Sequence, residues 1–449
     1  MSGLDEALNH AEICARETRR LVIEAGARHR AAEAFAGLFA GEQAVVVADE
    51  RTFEAAGREV FEGFRRAGRP ASGPVLFPPD IVAEDARVLE LQSALEGLPG
   101  IPVVVGSGTL NDLTKLASHR LGRPYMVVAT AASMDGYTAF GASILHEGSK
   151  QTFACPAPVA VLADLDVIAR APREMNAAGY ADLLAKNVAG ADWILADAAG
   201  VEPIDGRVWE MVHGPFRSWV ESPAGIARGE PPALGRLVLG LMTTGLAMQE
   251  ARSSRPASGA EHQFSHLWDM QHHIHGGSAP SHGFKVGIGT LASLALHEDL
   301  LGRDLQDLDV DRAVGRWPTL GQIEERIGVV LGTGSLGAKA VEEARAKYPT
   351  REQLRSQLAS ACNGWPASRA RLARHLIPAR DARDMLRAAG CPTEPEQIGI
   401  DRDRLRASFE QASYIRRRFT ILDLMQRLNL MAPAMERLFG PEGAWPVQD

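Results

Sequence analysis

Five short apolar runs punctuate the first third of the chain, and each stops at a turn. Residues 44–47 (AVVV) end near Asp49, and 75–77 (VLF) are closed by Pro78 and Pro79. Residues 101–105 (IPVVV) run into Gly106, 125–129 (YMVVA) into Thr130, and 159–162 (VAVL) lead to Asp164. Charged stretches with helical spacing, such as 84–95 and 111–121, lie between them. Strand, helix and strand in this rhythm predict a parallel sheet with crossover helices.

Near Pro172 the pattern changes. Segment 172–198 is Ala-rich with repeated apolar spacing, and Pro172 suits a first helical turn. Further helical patterns cover 234–251, 283–301, 351–361 and 408–428. The expected architecture is an α/β dinucleotide-binding domain with a parallel sheet over 1–170, followed by an all-helical metal- and substrate-binding domain over 171–449. Two domains are the natural division of 449 residues. With 45% hydrophobic and 23% charged residues, a large core is available without disulfide or metal staples. A net charge of −8 argues against nucleic acid or an anionic membrane as partner. Cys14, Cys155, Cys362 and Cys391 form no CxxC pair, which suits reduced thiols in the cytoplasm. The polar, acidic N-terminus is unlike a signal peptide, and no apolar run approaches the roughly 18 residues of a membrane span.

The turn Gly106-Ser107-Gly108-Thr109-Leu110-Asn111-Asp112 follows an apolar strand and opens a helix. Its glycines let backbone amides approach a ligand, and the helix start adds unpaired N–H groups and a positive dipole end. It reads either as a pyrophosphate cradle, with the Thr109 hydroxyl as a further donor, or as a plain strand-to-helix turn; it is not a phosphate-binding loop of the Walker type. A second polar turn, Thr130-Ala131-Ala132-Ser133-Met134-Asp135-Gly136, follows the next strand, where ligands of doubly wound sheets gather. Asp49 stands where an acid either hydrogen-bonds a ribose hydroxyl, favouring NAD over NADP, or caps its own turn.

Six of the 13 histidines fall between His262 and His282. Imidazole is the commonest transition-metal ligand. His262 and His266 are four apart and share a helix face, while His282 opens another helical run. Asp182 lies in an otherwise apolar helical stretch, where an acid is costly unless paired or coordinated. Two imidazoles, one carboxylate and open positions describe a catalytic divalent-metal site that can polarise a substrate oxygen. A surface helix acid remains the alternative for Asp182, and a solvated loop is the expected place of His272, His273 and His275.

On these motifs the chain resembles the iron-containing (group III) alcohol dehydrogenase superfamily and, within it, the glycerol-1-phosphate dehydrogenases of the longer bacterial, arabinose-operon type. GSGTLNDLTK (106–115), PYMVVATAASMDGYTA (124–139), ADLDVIARAPREMNAAGYADLLAK (163–186), SGAEHQFSH (258–266), HGFKVGIGTL (282–291) and RRRFTILDL (416–424) occur in the family's order. The resemblance implies an NAD(P)-binding domain joined to a helical metal domain, with the active site in the cleft. It places Gly106, Ser107, Gly108, Thr109, Leu110, Thr130, Ala131, Ala132 and Ser133 along the dinucleotide and Asp135 on the substrate. Asp182, His262 and His282 would hold the metal, with His266 beside the substrate. Zinc is the expected metal, with nickel and iron as the other candidates, and a homo-oligomer, a dimer first, is the expected assembly.

The implied reaction interconverts dihydroxyacetone phosphate and glycerol 1-phosphate by hydride transfer. Two other chemistries suit the same plan: oxidation of an unphosphorylated polyol such as glycerol, and a dehydroquinate-synthase-like cyclisation of a sugar phosphate. Lys150, Lys186 and Lys285 are candidates for a phosphate contact. Ala139 departs from the family's usual serine, 276–281 (GGSAPS) lengthens the gap between His262 and His282, and the region beyond about 350 is longer than in short members.

Overall fold

The computed structural model describes residues 16–69, 71–146 and 149–447, so Cys14 lies outside the described residues. The chain forms two compact units. The first comprises Met1–Leu183, Glu210–Ser254 and Ala388–Gly390, and the second Leu184–Trp209, Arg255–Arg387 and Cys391–Asp449.

Among the described residues the first unit has eight strands: β1 (Arg20–Glu24), β2 (Ala44–Asp49), β3 (Ala71–Phe77), β4 (Ile101–Gly106), β5 (Met126–Ala129), β6 (Ala142–His146), β7 (Ser149–Phe153) and β8 (Ala160–Asp164). Six of them form a parallel sheet in the order β1-β8-β5-β4-β2-β3, while β6 and β7 pair as an antiparallel hairpin. Helices α1 (Ala31–Leu38), α2 (Arg58–Arg66), α3 (Asp85–Glu96) and α4 (Gly108–Arg120) lie between the strands in the chain. The central valines, Val45 to Val47 and Val103 to Val105, have no exposed surface because both sheet faces are covered. This double burial is why the sequence shows continuous apolar runs there rather than alternation. β1 and the hairpin were not among the expected strands. β1 pairs only with β8, and its charged ends, Arg20 and Glu24, leave just three buried residues between them.

The strand order gives the sheet a topological switch point. From β2 the chain steps outward to β3, then returns past β2 to β4 and proceeds in the opposite direction to β5 and β8. The reversal falls between the neighbours β2 and β4, whose carboxyl ends carry Asp49 and Gly106. Open parallel sheets bind ligands at such a switch point because the flanking connections leave on opposite faces and open a crevice.

After the sheet the chain is helical: α5 (Arg173–Leu184), α6 (Lys186–Ala198), α7 (Pro231–Ala251), α8 (Ala260–Met270) and α9 (His282–Leu301), and later α10 (Arg402–Tyr414) and α11 (Ile421–Arg427). In the second unit α8 packs against α9, α10 and α6, and α11 against α6 and α9. The single helix expected over 408–428 is two helices. Thr420 starts α11 with a capping box, its N–H donating to Asp423 Oδ2 at 3.0 Å. Upstream, Glu343 accepts the Arg417 backbone N–H at 2.8 Å and its guanidinium at 2.9 Å, which holds the intervening segment out of helical register.

Burial pushes the Glu343 carboxyl up, but Arg417 and Lys339 outweigh it and hold it at about 2. Because the folded value lies below the ordinary carboxylate value, Glu343 stabilises the fold above pH 4.5 or so, and the contribution disappears as pH falls toward 2. Glu343→Gln should therefore cost roughly 1–2 kcal/mol at pH 7, a figure reduced for the solvent-exposed partner cations, and about a quarter of that at pH 2.5. Urea unfolding at the two pH values measures it. Among the described residues, no helix is long and apolar enough to cross a membrane, and Cys155, Cys362 and Cys391 are buried free thiols.

Candidate metal centre and cofactor turn

At the carboxyl end of β4, α4 begins directly after Ser107, which has extended backbone and makes no side-chain cap. Asn111 N–H to Ser107 O, at 3.0 Å, opens the helical ladder, so the amides of Gly108, Thr109 and Leu110 have no carbonyl within the helix. Ser107, Gly108 and Thr109 are half-buried and Leu110 is buried. Three donors at a positive helix end suit a phosphate oxygen.

The neighbouring turn is held from below. Thr130 N–H bonds to Gly106 O at 3.1 Å and joins the two turns. Ala132 N–H donates to Asn176 Oδ1 at 3.1 Å, and Tyr137 OH donates to Ala131 O at 2.8 Å. Ala131 and Ala132 are thus packed into the turn's scaffold, while Ser133 is half-buried at its rim. Lys115 of α4, 1% exposed, donates to the carbonyls of Gly136, Ala139 and Gly141 at 3.0, 2.7 and 3.0 Å. Burial pushes its pKa down. Ala139 contributes its backbone carbonyl to this arrangement. Asp49 Oδ1 accepts Thr52 N–H at 2.7 Å in a capping box. The capping alternative thus occupies one of its oxygens.

Asp182 projects from the last turn of α5 and has no exposed surface; its Oδ2 accepts the Asp135 backbone N–H at 3.0 Å. In the second unit, α8 carries His262 and His266, and Ser281 caps α9 by accepting Phe284 N–H, which sets His282 in the first helical turn. The His262 and His282 ring centroids are 5.3 Å apart, and His266 lies 6.1 Å from the first and 6.0 Å from the second. One ligand atom each from Asp182, His262 and His282 lie within 4.8 Å of one another. Asp182 and His262 are buried and His282 is half-buried. Two imidazoles and one carboxylate are a donor set suited to zinc, iron or nickel, so the residues fit a divalent transition metal.

Of the three histidines expected in a solvated loop, only His273 departs from that expectation. His272 and His275 are exposed, but His273 is buried, with Nε2 2.6 Å from Ile398 O and Nδ1 2.7 Å from Arg404 Nη1. Of the lysines considered for a phosphate contact, Lys285 is buried and paired with Asp269, Lys186 is buried, and the side chain of Lys150 lies outside the described residues. Sequence reasoning missed Glu261, whose Oε1 lies 2.7 Å from His262 Nδ1, and Asp192 and Arg255, of which Asp192 accepts the Ala260 N–H at the start of α8 and Arg255 donates to Asp192 O. The only local signal was an acid directly preceding a ligand-type histidine.

Comparison with known proteins agrees with this architecture. Residues 22–172 match the family model described as iron-containing alcohol dehydrogenase. A glycerol-1-phosphate dehydrogenase [NAD(P)+] of Haloarcula marismortui is 30% identical over 347 residues, covering 73% of this chain and 95% of that protein. The enzyme of the same name from Halalkalibacterium halodurans is 35% identical over 257 residues, a match covering 57% of this chain and 64% of that relative's length. The solved structure of a probable glycerol dehydrogenase from Sinorhizobium meliloti superimposes with a TM-score of 0.59 over 93% of this chain and 98% of its own, at 17% identity, and so shares the fold. The chain belongs to the iron-containing alcohol dehydrogenase family and, within it, to the glycerol-1-phosphate dehydrogenases.

Proposed function

We propose that this chain interconverts dihydroxyacetone phosphate and glycerol 1-phosphate by hydride transfer with NAD or NADP, using one divalent cation held by Asp182, His262 and His282. The observation that carries the reading is the approach of one carboxylate and two imidazoles to within 4.8 Å in a largely buried setting. Zinc is the proposed ion, with nickel and iron able to use the same donors. When bound, the cation polarises the substrate oxygen and the nicotinamide carries the hydride.

The chain's own residues supply binding and proton handling. Gly106 to Leu110 direct amides toward the pyrophosphate, and Thr130 to Ser133 form the adjoining wall. Asp49 accepts from a ribose hydroxyl through the oxygen not used in its cap, which favours NAD. Asp135 orients a substrate hydroxyl. His266, half-buried and beside both ligand imidazoles, holds the proton exchanged with the substrate oxygen. The buried thiols suit a reducing compartment, so we place the enzyme in the cytoplasm, and a homodimer is the proposed assembly.

The test is oxidation of NADH by protein stripped of metal and reloaded with zinc, nickel or iron, with dihydroxyacetone phosphate against dihydroxyacetone. Metal-dependent NADH loss with the phosphorylated ketone, at a kcat/KM at least about 100-fold above that of the unphosphorylated one, is expected; such a ratio corresponds to about 2.7 kcal/mol of phosphate recognition. Equal rates would move the assignment to a polyol dehydrogenase. No net NADH loss with either ketone would refute it.

A further inference from the structure

We propose that Glu261 is a positioning residue for the metal centre, fixing the ring of His262 so that Nε2 is the nitrogen offered to the cation. The inference rests on the assignment of His262 as a metal ligand. Glu261 has no exposed surface, and its Oε1 lies 2.7 Å from His262 Nδ1 and accepts Gly259 N–H at 2.6 Å. An ionised carboxylate only accepts, so the Nδ1 in contact with it carries the hydrogen and the lone pair is left on Nε2. Metal-binding imidazoles are oriented in this way by acceptors on the far ring nitrogen, which also make the ligand more basic.

The same helix addresses the second imidazole. Ser265, one turn after Glu261 on α8, places Oγ 3.4 Å from His282 Nδ1. The helices are locked at this level. A Cβ on Gly289 of α9 would lie 2.4 Å from the Glu261 carbonyl oxygen, so only glycine allows the approach. Glu261 Oε2 has no hydrogen-bond partner. A buried carboxylate with an unmatched oxygen is costly for folding alone. Ring orientation gives that cost a purpose.

The turn that carries Glu261 is gripped by groups distant in sequence. Asp192 of α6 accepts Ala260 N–H at the start of α8 and Ile421 N–H at the start of α11, both at 2.7 Å. Arg255 donates to Asp192 O and Phe419 O, each at 2.9 Å. Thr420 Oγ1 donates to Gln263 Oε1 at 3.2 Å, and Gln263 Nε2 donates to Arg418 O at 3.3 Å. The late motif RRRFTILDL is thereby built around the first turn of the metal helix.

Metal-free wild type, Glu261→Ala and Glu261→Gln are titrated with zinc in competition with a chromophoric chelator, and with cobalt(II) while recording the visible spectrum. Glu261→Ala is expected to weaken zinc binding by about 10- to 100-fold and to alter the cobalt spectrum. Glu261→Gln, whose amide oxygen still accepts from Nδ1–H without the charge, should fall between. A purely structural role would lower metal-free thermal stability and leave zinc affinity and the cobalt spectrum unchanged. Variants that bind zinc within twofold of wild type with the wild-type cobalt spectrum would overturn the inference, and Glu261→Gln decides the matter if the alanine variant does not fold. A wild type that takes up neither ion would instead refute the ligand assignment, and this inference with it.

Discussion

Asp182→Asn is expected to yield a folded protein that no longer retains a stoichiometric divalent cation and whose turnover falls by about three orders of magnitude. Asparagine keeps the shape of the side chain and an oxygen that can accept the Asp135 N–H, now at 3.0 Å from Asp182 Oδ2. It removes the anionic charge that two neutral imidazoles cannot replace. Metal polarisation of a reacting oxygen is worth several kcal/mol, and about 4 kcal/mol corresponds to the predicted thousand-fold. Metal content after gel filtration and kcat with dihydroxyacetone phosphate and NADH are the two measurements. Because the hydrogen-bonding shape is preserved, thermal stability of the metal-free protein should change by less than ~2 kcal/mol. An Asp182→Asn protein with wild-type metal content and turnover would remove the carboxylate from the ligand set.

Gly179→Ala is expected to destabilise the first unit by at least ~3 kcal/mol and to abolish saturable NAD binding. A Cβ at Gly179 of α5 would stand 1.7 Å from the Ala132 carbonyl oxygen and 2.7 Å from its carbon. Both are backbone atoms of the turn proposed to carry the dinucleotide, so no rotamer change relieves the overlap. The turn must move by more than an ångström, breaking the Ala132 N–H to Asn176 bond as it does so. Gly235→Ala in α7 is the control. Its Cβ would meet nothing nearer than Leu165 Cδ1 at 3.7 Å, and the loss of a helical glycine should stabilise by about 0.5–1 kcal/mol. Urea unfolding and quenching of intrinsic fluorescence by NADH separate the two effects.

The sheet was legible because strands buried on both faces must be apolar throughout, and valine runs ending at glycine or threonine advertise both the strand and its end. β1 was not, since an edge strand with one partner needs only three buried residues between charges. The convergence of Asp182, His262 and His282 was legible for a chemical reason: clustered imidazoles and an acid inside an apolar helix are expensive unless something uses them. Their supports were not. Asp192 bonds to amides 68 and 229 residues away, and Lys115 satisfies carbonyls 21 to 26 residues on, so no local spacing announces either. His273 shows the converse error. A histidine in a polar loop looks solvated until a distant carbonyl and Arg404 close over it. The helix break before Thr420 was hidden similarly, because Arg417 leaves helical register only through Glu343, 74 residues earlier.

In the proposed site the Asp135 peptide joins two equilibria that otherwise concern different molecules. Its N–H ends on Asp182, while its own residue closes the turn proposed to face the dinucleotide. A carboxylate drawn toward a cation pulls on that peptide, and a turn settled by a nucleotide pushes back on the carboxylate. In the proposed site the two occupancies are then thermodynamically linked: whatever factor the metal imposes on dinucleotide affinity, the dinucleotide imposes on metal affinity. One charge-assisted hydrogen bond, worth roughly 1.5–3 kcal/mol, can transmit about a ten- to hundred-fold effect in either direction.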